Sequence, residues 1–145
     1  MFTIRRAQAG EGDRIVEIWR AAVDATHDFL ATADRAAIDA EVCAFLPHAP
    51  LWLAVDGKDR PLAFMLLDGG HMEALFVAPA VHGRGIGAAL VQHALALQPG
   101  LTTDVNEQNG QAIGFYERLG FRPTGRSPAD AQGRPYPLIH LAHPG

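Results

Sequence analysis

Cysteine is almost missing from this chain: Cys43 stands alone among 145 residues. A single thiol forms neither an intrachain disulfide nor a cysteine-based metal cluster, and such sparing use fits a reducing cytoplasm. Apolar runs of membrane-spanning length are missing too, and the opening MFTIRRAQAGEGD lacks the apolar stretch of a signal peptide. No membrane association is expected, and the cytoplasm is the expected location. Basic excess is also lacking, with 12 Lys and Arg against 16 Asp and Glu and a net charge of −4. That balance argues against a nucleic-acid groove. The seven histidines include no pair at i, i+4 helical spacing with a carboxylate partner, so no metal site is expected.

What is present describes one ordinary folded domain over residues 1–145. Apolar residues make up 48% of the chain and charged ones 19%, enough for a core and too balanced for disorder or coiled coil. Strands are expected at Phe2 to Ala7, Leu51 to Val55, Leu62 to Leu67, Met72 to Val77, Leu101 to Val105, Phe121 to Gly125 and Pro137 to Ala142. A first helix buries Ile15, Ile18, Trp19 and Ala22, with Gly10 to Asp13 as its cap, until Asp24 to Phe29 breaks the pattern. A second runs from about Thr32 to Phe45. Asp56 to Arg60, containing Asp-Gly, reads as a hairpin turn. The order β-α-α-β-β-β-α-β-α-β-β implies an α/β (α+β) fold: a single mixed, twisted sheet with helices on both faces.

One stretch organises the rest. In LFVAPAVHGRGIGAAL, Leu75, Phe76 and Val77 end a strand, and Gly83, Gly85 and Gly87 follow on alternate positions. Ile86, Leu90, Ala94 and Leu97 then fall on one helical face. A strand leading through glycines into a helix gathers free backbone N–H groups at the positive end of the helix dipole, where a phosphate or pyrophosphate sits well. Arg84 adds a cation there. A plain turn would use glycines only for backbone freedom, at a cost for the helix start. Gly83-x-Gly85-x-x-Ala88, with Asp104 downstream, also fits a dinucleotide fingerprint. Such a fold needs parallel units around the loop, however, whereas three hairpin-linked strands precede it here.

Further on, Asn109, Ala112 and Tyr116 share one face of a helix, with Phe115 beside them. The alternative for the two aromatics is simple core packing. Asn109 suits the helix N-cap, and Gly120 the left-handed position after the helix with Phe121 as its apolar clasp.

Together, LFVAPAVHGRGIGAAL and NEQNGQAIGFYERLGF resemble the GNAT superfamily of acetyl-CoA-dependent N-acetyltransferases over nearly the whole chain. VDATHDFL, APLW, HMEALFV, LTTDVNEQN and GRPYPL are further similar to its small bacterial YjaB-like branch. Gly85 and Gly87 take the glycine positions of the family's pyrophosphate loop, while His82 stands where Gln or Arg is usual. The Asn…Phe-Tyr-x-x-x-Gly-Phe pattern falls on Asn109, Phe115, Tyr116, Gly120 and Phe121.

The resemblance implies transfer of an acetyl group from acetyl-CoA to a primary amine by direct attack. It implies that Leu75, Phe76 and Val77 pair with the pantetheine arm, and that His82, Gly83, Arg84, Gly85, Ile86, Gly87 and Ala88 hold the pyrophosphate. Asn109, Ala112, Phe115 and Tyr116 would complete the coenzyme side. Tyr116 matches the family's general acid, a phenol able to protonate the departing thiolate. Glu73 holds a position where a carboxylate often takes the amine's proton directly or through water, and its strand face, shared with Leu75 and Val77, is read as turned inwards. As a plain strand carboxylate Glu73 would be solvated. His71 and His27 are rival bases, otherwise surface or capping histidines. Asn106 would orient a water or the acceptor, or serve only the turn. The acceptor side would be formed by Asp24, His27, Asp28 and Phe29 with His71 and Tyr136. The partner is then an amine, small or protein-borne, and the protein a monomer or homodimer. A second function is also open: an idle acyl-CoA sensor or interaction module keeping the same loop.

Overall fold

The computed structural model describes Met1–Gly145. Its elements are β1 (Thr3–Arg6), α1 (Gly12–Thr26), α2 (Thr32–Phe45), β2 (Trp52–Val55), β3 (Pro61–Asp68), β4 (His71–Val77), α3 (Ile86–Leu97), β5 (Thr102–Asn106), α4 (Gly110–Arg118), β6 (Arg122–Ser127) and β7 (Leu138–Ala142). This is the order read from the sequence. The strands form one seven-stranded sheet in the order β1-β2-β3-β4-β5-β7-β6. It is mixed, because β4 and β5 run parallel while β1–β2, β2–β3, β5–β7 and β6–β7 are antiparallel.

The chain divides into two compact units. The first contains Met1–Leu66 and Ala74–Leu90. Its core joins Ile15, Ile18, Trp19 and Val23 of α1 to Leu53, Val55 and Phe64 of β2 and β3. Each such fully buried side chain contributes roughly 1.5–3 kcal/mol. Helix α2 buries none of its residues fully and rests on this core through Ile38 and Val42. Helix α1 runs through Thr26, past the break expected at Asp24, and the Thr26 hydroxyl donates back to the Ala22 carbonyl at 2.8 Å. The acids expected at its start are in place, with Asp13 in the first turn. Glu11 occupies the N-cap without capping the helix, and its carboxylate accepts instead from Gln8 N–H and the Arg5 guanidinium. A Cβ added at Gly12 would lie 2.7 Å from Pro47 Cβ, so glycine lets the start of α1 meet the turn after α2.

The β2–β3 turn owes its shape to aspartates. The Asp56 carboxylate accepts from the N–H groups of Lys58 and Arg60, and the left-handed residue is Asp59 at φ 64°, not Gly57. Strand β4 alternates as expected, with Met72 buried and Ala74 and Phe76 packed on apolar partners.

The second unit contains Leu67–Glu73 and Val91–Gly145. The β4–β5 ladder runs over His71↔Thr102 and Met72↔Thr103. On its other edge β5 pairs with β7 along its whole length, from Thr102↔Ala142 to Asn106↔Leu138. Helix α4 is bounded as the sequence implies. Asn109 Oδ1 accepts from Ala112 N–H at 3.2 Å, and Gly120 takes φ 98°. The Gly120 N–H then reaches the Glu117 carbonyl and the Phe121 N–H the Tyr116 carbonyl, which closes the helix. Within α3, Ile86, Leu90, Val91 and Ala94 are buried, but Leu97 is 49% exposed. The apolar spacing runs one turn too far, because Pro99 and Gly100 already lead the chain away.

Candidate functional site

In the first unit, the loop before α3 has the backbone that its glycines permit. Gly83 and Gly85 take φ of 82° and 78°, a region where side chains are strained, and a Cβ on either would meet nothing within 4 Å. The Gly85 carbonyl accepts from Ala89 N–H at 3.0 Å and so opens the helix. By helix geometry the N–H groups of Ile86, Gly87 and Ala88 have no acceptor inside α3 and point out of its first turn. Exposed His82 and Arg84 flank them. Open space at the glycines, outward amides and a cation suit a pyrophosphate. Upstream, Leu75, Phe76 and Val77 are all half-buried, with the Phe76 ring 5.5 Å from that of Phe64. The Ala78 N–H donates to the Leu62 carbonyl at 2.9 Å, which fixes the strand end from which the loop departs.

The α1–α2 connection in the same unit carries the expected acceptor-side residues. His27 Nδ1 meets the Thr26 hydroxyl at 2.6 Å, and its ring lies 5.3 Å from Phe29. Burial pushes the His27 imidazole below its ordinary value, which favours the neutral ring. Asp28 is exposed. Asp24 is already engaged: Arg35 grips its carboxylate at 2.9 and 3.3 Å while also binding Asp39 and lying over Trp19. Its charge is therefore neutralised locally, and of the two aspartates Asp28 is the better placed to attract a cation.

In the second unit, Tyr116 is buried. Thr103 is also buried and donates to the Met72 carbonyl at 2.9 Å. Burial pushes the phenol of Tyr116 upward, so its proton is firmly held. Phe115 stands edge-on to Tyr116 with centroids 5.0 Å apart. Asn106 and Asn109 close the turn between β5 and α4, Asn109 N–H donating to the Asn106 carbonyl at 2.9 Å. Tyr136 is buried, and the neighbouring Pro137 carbonyl accepts from Glu107 N–H at 2.9 Å.

Glu73 departs from its expected setting. It lies opposite buried Met72 on β4 and is exposed, so no burial cost argues for a task there. Beside it runs a hydrogen-bonded row that sequence reading missed. His71 Nδ1 meets Thr102 Oγ1 at 2.6 Å, and His71 Nε2 faces Asp104 Oδ2 at 3.4 Å. Asp104 Oδ1 meets His140 Nδ1 at 2.6 Å, and His140 Nε2 meets Ser127 Oγ at 2.7 Å. Asp104, the residue that a dinucleotide reading would put on a ribose, thus stands between two imidazoles. Strand alternation could have placed these residues on one face, but not without the β5–β7 register that sets Asp104 against His140.

Comparison with known proteins identifies the family and the fold. A family model described as an acetyltransferase (GNAT) domain matches residues 47–123. The peptidyl-lysine N-acetyltransferase YjaB of Salmonella typhimurium is 58% identical over 144 residues, covering 99% of each chain. The solution structure of apo YjaB from Escherichia coli, 54% identical, superposes with a TM-score of 0.96 over 100% of this chain and 99% of that one. The PaiA N-acetyltransferase of Thermoplasma acidophilum, solved with coenzyme A, is 14% identical and shares the fold at a TM-score of 0.79, over 99% of this chain and 98% of its own.

Proposed function

The chain belongs to the GNAT family of N-acetyltransferases, whose cosubstrate is acetyl-CoA, and on that premise we propose that it acetylates the side-chain amine of lysine in a protein or peptide. The observation carrying this reading is a loop shaped for a pyrophosphate, in a chain alike along its whole length to a protein named as a peptidyl-lysine acetyltransferase. Residues 1–145 then act as one catalytic domain. The lone, exposed Cys43 suits a reducing compartment, and the cytoplasm is the location this reading assigns.

Each residue has its task. The amides of Ile86, Gly87 and Ala88, with Gly83, Gly85, Arg84 and His82, hold the diphosphate. The backbone of Leu75, Phe76 and Val77, beyond the last β4–β5 rung, pairs with the pantetheine arm and polarises the thioester carbonyl. Asn109, Ala112 and Phe115 shape the coenzyme side. Tyr116, whose buried phenol keeps its proton at neutral pH, donates it to the departing sulfur. Glu73 draws the cationic amine and takes part in removing its proton directly or through water, and Asn106 orients that amine or water. Asp28, His27, Phe29, His71 and Tyr136 form the acceptor side, with Asp24 contributing through Arg35.

The test is release of coenzyme A from acetyl-CoA over a panel of lysine peptides, peptide N-termini and small amines. Lysine-dependent release supports the reading. Binding of acetyl-CoA without turnover on any acceptor replaces it with an acyl-CoA sensor. Thermal stabilisation by NAD or FAD but not by acetyl-CoA removes both.

A further inference from the structure

Ser127 is the only serine of the chain, and the strand order β5-β7-β6 brings it to a histidine and an aspartate of the same unit. Asp104 of β5 stands directly opposite His140 of β7, and across the other edge of β7 the residue opposite His140 is Gly125. Ser127 lies two residues beyond Gly125, so it shares that face and is diagonal to His140. With no side chain directly across, the imidazole has room to meet the serine. His140 Nε2 is 2.7 Å from Ser127 Oγ, and His140 Nδ1 is 2.6 Å from Asp104 Oδ1.

The proton positions follow from what a carboxylate can do. Ionised Asp104 only accepts, so His140 Nδ1 carries a proton. The neutral ring then has a bare Nε2, and the Ser127 hydroxyl is its donor. The second Asp104 oxygen faces His71 Nε2 at 3.4 Å. Whichever nitrogen of His71 is protonated, Oδ1 stays with His140. A hydroxyl that donates to an imidazole, whose other nitrogen is held by a carboxylate, is the arrangement that turns serine into a nucleophile. It is recognised by geometry and roles, on any fold. A serine that only tied β6 to β7 would need the bond to His140 and no carboxylate behind it.

The three groups are also within reach of a small molecule. The side chains of Asp104 and His140 are 36% and 35% exposed, and Ser127 is half-buried. Water screens charge at such a place, so the substrates that suit it are esters whose leaving group departs readily.

We propose that Ser127, His140 and Asp104 form a second catalytic site, which takes the acyl group of a small activated carboxylic ester. Ser127 Oγ attacks the ester carbonyl while its proton passes to His140 Nε2. The ester C–O bond breaks, and His140 gives that proton to the departing oxygen. Water then attacks the acyl-serine with His140 as base, the Oγ–acyl bond breaks, and the carboxylic acid leaves with Ser127 restored. Asp104 does not touch the ester: it positions His140 and stabilises the imidazolium. This chemistry uses neither acetyl-CoA nor lysine, so it stands or falls apart from acetyltransfer.

The test treats the full-length protein at neutral pH with p-nitrophenyl acetate and, separately, with diisopropyl fluorophosphate, which forms an Oγ–P bond as fluoride leaves. Peptide mapping by mass spectrometry locates the adduct, and the single serine makes its assignment direct. Both reagents should label Ser127, and neither should label that serine in the same protein unfolded in urea. His140→Asn should slow the labelling by roughly 10²-fold, the low end of general-base catalysis. Asp104→Asn should slow it as well, and its positioning role has a readout of its own. Nitrogen NMR of the His140 ring should find the proton on Nδ1 in the parent, a preference that Asp104→Asn loses. An unlabelled Ser127 in the folded parent overturns the proposal. So do equal labelling in urea, labelling unchanged by His140→Asn, and a parent ring protonated on Nε2. Should a variant fail to fold, the comparison with urea and the ring tautomer of the parent still decide.

Discussion

Tyr116 and Phe121 are joined twice: the Phe121 N–H donates to the Tyr116 carbonyl at 3.0 Å, and their rings pack edge to face with centroids 5.3 Å apart. One contact closes helix α4 and the other packs the phenol's ring, so the proposed acid is tied down at both its backbone and its ring. Only its hydroxyl is free of these two links.

Tyr116→Phe keeps both of those links and deletes the hydroxyl. The expected result is a kcat lower by about 10²–10⁴-fold, with acetyl-CoA affinity by calorimetry unchanged. Unchanged turnover would take Tyr116 out of the chemistry.

Gly120→Ala tests the helix stop. At φ 98° any Cβ is strained, and here it would also stand 3.1 Å from His143 Nε2, the end of a side chain that can swing aside. The strain alone amounts to about 1–2 kcal/mol, and the melting temperature should drop accordingly. A melting temperature equal to that of the parent would show that α4 does not depend on this turn.

Gly85→Ala separates binding from folding. The Cβ meets open space, so the cost to the free protein is the left-handed backbone alone, again about 1–2 kcal/mol. In the complex the same methyl group would intrude on the diphosphate. Calorimetry should therefore show acetyl-CoA binding weakened well beyond any loss of stability, while Gly57→Ala, with open space and no left-handed φ, leaves both alone. Equal affinity for Gly85→Ala would move the diphosphate away from this loop.

His27 gives stability a pH dependence. Burial sets its folded-state value below its unfolded one. Above about pH 6.5 the ring is neutral in both states. As pH falls below that, the unfolded chain takes up the proton first, and the folded state loses ground until its own imidazole charges. His27→Phe retains a ring against Phe29 without the titration. Denaturation midpoints of the two proteins should diverge between about pH 7 and about pH 5, the parent losing more. Parallel curves would contradict a half-buried neutral imidazole.

How far the sequence could be read depended on the range of each interaction. The bounds of α4 follow from neighbours, Asn109 on Ala112 and Gly120 beside Phe121, and so does the turn of Gly83 and Gly85; all were legible. Leu97 kept the helical spacing yet points to solvent, because periodicity does not record where the partner surface ends. The Asp-Gly pair at Asp56 hid the real device, a carboxylate that collects two amides and lets Asp59 take the left-handed turn. Asp104 and His140 stand 36 residues apart and meet only through strand register. That is why the candidate base was read as Glu73, with His71 and His27 as isolated rivals, and the connected row was not seen.

The touching of Gly12 and Pro47 has an outcome for divergence. Any larger residue at 12 drives a carbon to 2.7 Å from Pro47 Cβ, an atom that every residue but glycine carries. Tolerated replacements at 12 and 47 should therefore arrive as pairs in a randomised library sorted for folded protein, with single changes at 12 depleted and rescued by glycine at 47.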